Sequence, residues 1–301
     1  MTLQQLRQVL TIAESNSMNE AAKKLFVSQP NLSATVREVE EELGITVFMR
    51  NNRGITVTAE GEEFLGYAKQ VVEQYHLLEN RYLNVESKKK FSVSMQHYSF
   101  AVKAFVQLAK EAGMDEYEFA VHETKTKEVI DNVKNLKSEI GVLYLSDFNE
   151  KVLRKLFKEC DIEFKELFTC NTYVYLWKKH PLAGKKVITL DDLQEYPCLT
   201  FEQGVNNSFY YAEEMMSTYE YKRVIKADDR ATMLNLMVGL NGFTLCSGII
   251  SEDLNGDDYA AIPLKESEKM HIGYIKHKGT KLSKLGEIYI DALKNYENKV
   301  L

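Results

Sequence analysis

Two serine caps divide the first 44 residues into three short helices, and that division limits the possible folds more than any other feature of the chain. Leu3, Leu6, Val9, Leu10 and Ala13 recur at helical spacing and predict a first helix that stops near Asn16. Ser17 followed by Glu20 has the spacing of a capping box, in which hydroxyl and carboxylate each satisfy a backbone N–H at a helix start. Ala21, Ala22 and Leu25 supply the inner face of that second helix. After Phe26 and Val27, Ser28 caps a third helix with Pro30 in its first turn, where a missing N–H costs little. Leu32, Val36, Val39 and Leu43 turn inward and Gly44 ends the helix. The product is helix, tight turn, helix.

What remains on the outer side of the third helix is Gln29, Pro30, Asn31, Ser33, Ala34, Thr35 and Arg37, with Ser28 at its start. Short polar groups, small residues and one guanidinium suit the major groove of DNA. Val47–Met49 and Ile55–Val57 read as two strands around a loop holding Arg50, Asn51, Asn52, Arg53 and Gly54, a wing whose arginines contact phosphates or the minor groove. The net charge of −6 does not oppose this reading. Acids and bases balance within residues 1–58, so local placement rather than bulk charge decides phosphate contact. The competing reading is a cytosolic small-molecule-binding or enzymatic protein whose N-terminal helices serve only in oligomerisation.

From Ala59 a helix is predicted to about Glu86, with Phe64, Leu65, Ala68, Val71, Val72, Tyr75, Leu78 and Tyr82 along one side. A stripe this long exceeds what a small domain buries alone and predicts pairing with a second copy. Ser87 to Lys90 form a charged hinge, after which strands and helices alternate. Strands are expected at 91–95, 119–122, 140–145, 172–177, 198–201, 243–246 and 271–275, implying mostly parallel sheets covered by helices, with a ligand cleft between two lobes. The uncharged run Ala231–Ser251 is interrupted by Asn241-Gly242 and reads as helix, turn and strand rather than a membrane span. The four cysteines lie far apart without a metal or disulfide framework, the six histidines have no metal-ligand spacing, and Asp191-Asp192 reads as part of a short capped helix. The N-terminus lacks the basic head and apolar run of a secretory signal, so a cytoplasmic location is expected.

The run Ala21 to Ser33, then Val39-Glu40-Glu41-Glu42-Leu43-Gly44, Phe48-Met49-Arg50 and Thr58-Ala59-Glu60-Gly61, resembles the DNA-binding signature of LysR-type transcriptional regulators. Many members carry a basic or long polar residue where this chain has Ala34 and Thr35, which leaves Arg37 as the cation at the middle of the surface. His180-Pro181-Leu182-Ala183, Leu190-Asp191-Asp192-Leu193, Tyr196-Pro197 and Gly239 to Phe243 resemble the effector domain of the same family. The resemblance implies an α/β protein in which residues 1–58 form a winged helix-turn-helix and 59–90 a dimerisation helix and hinge. Residues 91–301 would form a two-lobed domain like periplasmic solute-binding proteins, with lobe I at 91–161 and 268–301 and lobe II at 162–267. It implies a homodimer or homotetramer on double-stranded DNA carrying an interrupted inverted repeat, with RNA polymerase as a further candidate partner and no membrane. It also places Ser99, Thr124, Lys125, Thr126 and Thr200 at the effector site. Phe201 and Asn207 lie close by, and Asn206 and Ser208 flank the latter. Helix-start N–H groups with Lys125 favour an anionic or zwitterionic effector, while Tyr98, Phe201 and Phe209 suit a ring. No cofactor is expected. Cys198 and Cys246 are candidate redox sensors by resemblance to peroxide-sensing members, but their apolar strands favour buried small hydrophobes.

Overall fold

The structure, a computed structural model, describes residues 1–15, 17–51, 54–82, 89–113, 116–206 and 208–296, with only the backbone for residues 50, 51, 54 and 80–82. The chain divides into two compact units, Met1–Ser87 and Lys88–Leu301.

In the first unit α1 (Leu3–Ala13) opens on a capping box absent from the sequence reading: the Thr2 hydroxyl accepts the Gln5 N–H, and the Gln5 side chain accepts the Thr2 N–H. It ends two residues earlier than expected, at a Glu14 cap. Ser17 caps α2 (Met18–Lys24) and Ser28 caps α3 (Gln29–Leu43). Gly44 takes the left-handed conformation that closes α3, at φ 68°. Val9, Ile12, Ala21, Ala22, Leu32, Val36 and Val39 form the core between the three helices. Each fully buried Leu or Val there contributes about 1.5–3 kcal/mol. Leu43, expected inward, lies on the last turn of α3 and is 37% exposed.

The wing is a hairpin of β1 (Phe48–Asn51) and β2 (Gly54–Val57), paired antiparallel with Phe48 opposite Val57. Beyond apolar packing of Phe48 on the core, its link to α3 is the Glu40 carboxylate. Glu40 Oε1 accepts the N–H of Val47 at 2.7 Å and of Phe48 at 3.0 Å, which fixes where the hairpin leaves the helix. Behind the wing α4 (Ala59–Tyr82) starts at Thr58, whose hydroxyl accepts the Gly61 N–H and donates to the Thr46 carbonyl. A Cβ on Gly61 would stand 2.3 Å from the Val47 carbonyl oxygen, so the close approach of α4 to the wing requires glycine.

The apolar stripe of α4 is only partly free. Ala68 and Val72 are buried against Leu6 of α1, and Phe64 and Leu65 pack on the domain core, so the unit covers that half itself. Tyr67, Val71, Tyr75, Leu77 and Leu78 stay exposed.

In the second unit, lobe I contains β3 (Lys89–Met95), α5 (Ser99–Glu111), β4 (Tyr117–Glu123), α6 (Thr126–Lys134), β5 (Ile140–Leu145), α7 (Glu150–Glu159) and β6 (Ile162–Cys170). The chain then builds lobe II from β7 (Tyr173–Trp177), α8 (Leu190–Leu193), β8 (Cys198–Phe201), β9 (Val224–Ala227), α9 (Arg230–Leu240), β10 (Thr244–Cys246), α10 (Glu252–Asn255) and β11 (Tyr259–Pro263). It returns as β12 (Met270–His277) and α11 (Lys284–Lys294). The lobe I sheet has the order β4-β3-β5-β12-β6. Its β4, β3 and β5 are parallel, but β12 is antiparallel to both neighbours. The expectation of mostly parallel sheets is corrected here. The chain leaves through Cys170 and re-enters at its partner Met270, so β12 must run back along β6.

The expected lobe boundary also moves: β6 belongs to lobe I, and the crossing comes after Cys170 instead of after residue 161. Lobe II holds the antiparallel order β10-β7-β11 and the parallel pair β8-β9, joined by a parallel bridge between Cys198 and Phe243. One apolar cluster runs through both lobes, from Phe91, Val93 and Tyr289 to Val174, Leu193 and Phe243. The uncharged run does form helix, turn and strand. Asn241 closes α9 at φ 50°, its side chain accepts from Trp177 Nε1 at 2.9 Å, and its carbonyl accepts from His180 Nε2 at 2.9 Å. Among the described residues no helix is long and apolar enough to cross a membrane.

Replacing Glu40 with Ala leaves two partly buried strand N–H groups without an acceptor and is expected to destabilise the first unit by about 2 kcal/mol. Faster hydrogen exchange at Val47 and Phe48, with α5 to α11 unchanged, is the readout; unchanged exchange at the wing contradicts the role given to Glu40.

Candidate nucleic-acid interface and effector cleft

The two faces of α3 differ as an amphipathic helix requires. Leu32, Val36 and Val39 are at most 7% exposed, whereas Ser28, Pro30, Asn31, Ala34 and Arg37 are exposed and Gln29, Ser33 and Thr35 half-buried. Gln29 Nε2 donates to Ser33 Oγ at 2.8 Å, and Thr35 Oγ1 to the Asn31 carbonyl at 3.2 Å, so one turn of the helix orders its own polar face. Pro30 in the first turn and the Ser28 cap fix where this face begins.

Local charge follows from how the acids are used. Glu40 holds the wing, Glu38 accepts from Gln5 Nε2 at 2.9 Å, and Glu42 pairs with the N-terminal amine at 2.5 Å. Arg7 pairs with Glu79 and lies over the Tyr75 ring, and Lys24 pairs with Glu20. Arg37 makes no ion pair among the described residues. Arg50 sits in β1 opposite Ile55, and Arg53 lies outside the described residues. Phe26 went unremarked in sequence. It takes φ 54° in the turn before α3 and is 96% exposed, beside the polar face. A bulky residue at positive φ has no pattern that periodicity reveals.

Between the lobes lies a cavity of about 80 Å³. Ser99, the first residue of α5, and Phe201, at the end of β8, both line it. Lobe I contributes His97, Phe100 and Met270; lobe II contributes Glu213, Glu214, Arg230, Met233, Met237 and Thr244. His97 stacks on Phe201 with ring centroids 3.7 Å apart and planes 6° apart, closing one wall.

The other expected effector residues are placed differently. Thr126 is buried, but its N–H at the start of α6 donates to Gln203 Oε1 at 3.1 Å, and its hydroxyl donates to the Tyr211 carbonyl and accepts from Gln96 Nε2. Thr124 turns to a shallow outer groove with His122, Glu128 and Asn132, and its hydroxyl donates to Glu128. Lys125 pairs with Asp228 at 3.4 Å, Thr200 is half-buried in β8 away from the cavity lining, and Asn207 lies outside the described residues. Of the flanking residues, Asn206 and Ser208 are absent from the lining as well. The Thr126 N–H at the start of α6 is therefore satisfied by lobe II.

Glu213 is the centre of that arrangement. Its Oε2 accepts the His97 N–H at 2.9 Å and His97 Nδ1–H at 2.8 Å, and its Oε1 accepts Gln203 Nε2 at 2.9 Å. Arg230 pairs with Glu123 across the lobes, and the Tyr144 hydroxyl reaches the carbonyls of Ala212 and Glu214. None of these residues stood out in the sequence, since a buried carboxylate looks like any other acid until its partners are known.

Burial, followed by the neighbouring charge of Glu213, pushes the Glu214 carboxyl up to about 8. Burial likewise pushes the Cys170 and Cys246 thiols up to about 12, and raises Cys198 well above its usual range with help from Glu214. Thiols held protonated are poor nucleophiles, which favours packing over redox sensing for these cysteines. His180 is lowered by burial and takes the Leu182 N–H on Nδ1, a structural role in the His180 to Ala183 run. Asp192 caps α8 through Thr189 and pairs with Lys185, as the short capped helix requires.

The Glu214 shift has a sign. A carboxyl with a raised value in the folded state keeps its proton while the unfolded chain loses it. Its contribution is full below about pH 4.5 and is lost as pH rises toward 8. Glu214→Gln is expected to flatten the fall in thermal midpoint between about pH 5 and pH 8, read by circular dichroism. Parallel pH profiles for variant and parent would contradict the buried, protonated carboxyl.

Comparison with known proteins bears on both units. Residues 3–62 match the family of bacterial regulatory helix-turn-helix proteins of the lysR type, and residues 113–297 match the LysR substrate binding domain. The chain is 26% identical over 308 residues to the HTH-type transcriptional regulator CysL of Bacillus subtilis, covering 98% of each. It is 26% identical over 247 residues to the regulator BsdA of the same organism, covering 79% of this chain and 80% of that one. In fold it resembles a full-length OxyR from Pseudomonas aeruginosa, with a TM-score of 0.69 at 20% identity over 98% of this chain and 95% of that one. It also resembles the LysR family regulator CbnR, with a TM-score of 0.60 at 17% identity over 98% and 99%. A helix-turn-helix unit ahead of a substrate-binding domain, matched along most of the chain, makes it a LysR-family transcriptional regulator and not an enzyme.

Proposed function

We propose that the chain binds an interrupted inverted repeat in double-stranded DNA through the outer face of α3, and that a small molecule in the interlobe cavity controls that binding or the activation that follows it. The observation that carries the DNA part is the exposed Arg37 guanidinium, without an ion pair among the described residues, beside Ser28, Gln29, Pro30, Asn31, Ser33, Ala34 and Thr35, none of them buried. Wing residues Arg50 and Arg53 supply phosphate contacts on the flank. The exposed Tyr67, Val71 and Leu78 of α4 support a homodimer, the unit from which a homotetramer would be built, with one recognition helix per half-site. RNA polymerase is the further partner of an activator, and the location is cytoplasmic.

Arg37→Ala is expected to weaken binding to an operator fragment selected from genomic DNA by about tenfold to a hundredfold, measured by fluorescence anisotropy. The parent's affinity should fall steeply with rising salt. A variant that binds such fragments like the parent overturns the reading of α3. Val71→Asp with Leu78→Asp is expected to shift sedimentation to the monomer, because two charges would be desolvated in an apolar seam. An unchanged sedimentation coefficient removes α4 from the dimer contact.

A further inference from the structure

We propose that the interlobe cavity takes an uncharged, mainly apolar small molecule with a hydrogen-bonding group, because its wall is mainly apolar, carries two acidic side chains and offers no unpaired cation among the described residues. The proposal rests on the reading of this cavity as the effector site and names the class of its ligand.

Of the backbone N–H groups that face lobe II, that of His97, two residues before α5, donates to Glu213 Oε2, and that of Thr126, at the start of α6, to Gln203 Oε1. The cations are also matched, Arg230 with Glu123 and Lys125 with Asp228, and the His97 ring is hydrogen-bonded to Glu213. An entering carboxylate would meet Glu213 and Glu214 and no unpaired cation among the described residues. Desolvating a charge without a partner is strongly unfavourable. A cationic amine fares no better unless Glu214 ionises, and burial holds that carboxyl protonated near neutrality.

What the cavity offers instead is apolar wall. Phe100, Met233, Met237, Leu245 and Met270 line it, with methionine side chains that adapt to the shape of a guest. Two hydroxyls of the lining, those of Tyr175 and Thr244, stand without a hydrogen-bond partner among the described residues. Thr244 is 6% exposed, lines the cavity, and its Oγ1 has no hydrogen-bond partner. A buried hydroxyl of this kind needs a partner, and a guest hydroxyl or carbonyl supplies it. Size narrows the class further. A dry apolar cavity of about 150 Å³ accommodates benzene, so about 80 Å³ suits a guest smaller than benzene.

The test uses three probes of one shape and different charge: butan-1-ol, butanoate and butylamine. Each is titrated at neutral pH into the full chain carrying methyl-labelled methionine, followed by NMR. Butan-1-ol should shift the Met233, Met237 and Met270 methyls saturably and leave the exposed Met1 and Met49 unmoved; butanoate and butylamine should shift none of them. Thr244→Val should weaken butan-1-ol several-fold while the methyl spectrum of the free protein keeps its dispersion. Saturable shifts from butanoate or butylamine, but not butan-1-ol, leave the effector cavity standing and overturn the ligand class. Absence of saturable shifts from all three overturns both.

Discussion

A carboxylate taken out of water must be given hydrogen bonds in return, and in the effector unit that requirement ties the two lobes together. Glu213 comes from lobe II, yet two of its three donors belong to His97 of lobe I. Gln203 repeats the pattern, donating to Glu213 and accepting from the helix start at Thr126. With Arg230 reaching Glu123 and Tyr144 reaching the carbonyls beside Glu214, the segment around the 3₁₀ turn at Phe209–Tyr211 serves as a polar latch over an apolar cavity. Any guest must be accommodated without breaking these bonds or must replace them.

The DNA-reading unit solves a different problem with similar means. Three of the four acids of α3 are engaged elsewhere: Glu38 with Gln5, Glu42 with the chain start and Glu40 with the wing. The balanced charge of residues 1–58 thereby resolves into a surface on which Arg37 has no ion pair among the described residues. Glycine at position 61 allows α4 to approach Val47 closely enough to back the hairpin.

The sequence was most readable where structure is local. Caps at Ser17 and Ser28, the stop at Gly44 and the spacing of Leu32, Val36 and Val39 each act within a few residues, and they located the helices of the first unit closely. Less legible were elements whose identity depends on distant partners. β6 carries Glu163, Lys165 and Glu166, an edge-strand pattern that hides its apolar side, and β9 and β11 are short and poorly patterned. Missing β6 is what misplaced the lobe boundary and the direction of the sheet. Within the cavity, Ser99 and Phe201 were legible from helix and strand ends, whereas Glu213, Glu214 and Thr244 were not. Their roles depend on burial, which adjacent sequence does not encode.

The course of the chain through the second unit has one more consequence. Lobe II leaves and rejoins lobe I at neighbouring strands, and the two crossings are fastened to each other: Thr172 N–H to Ser267 Oγ at 2.7 Å, and Thr172 Oγ1 to the Glu268 carbonyl at 2.8 Å. An insertion whose ends meet in this way can be swapped as a cassette, since the host sheet keeps its register whatever is carried between the splice points. Half of the cavity wall can thus diversify while the half that continues into β12 and α11 is preserved.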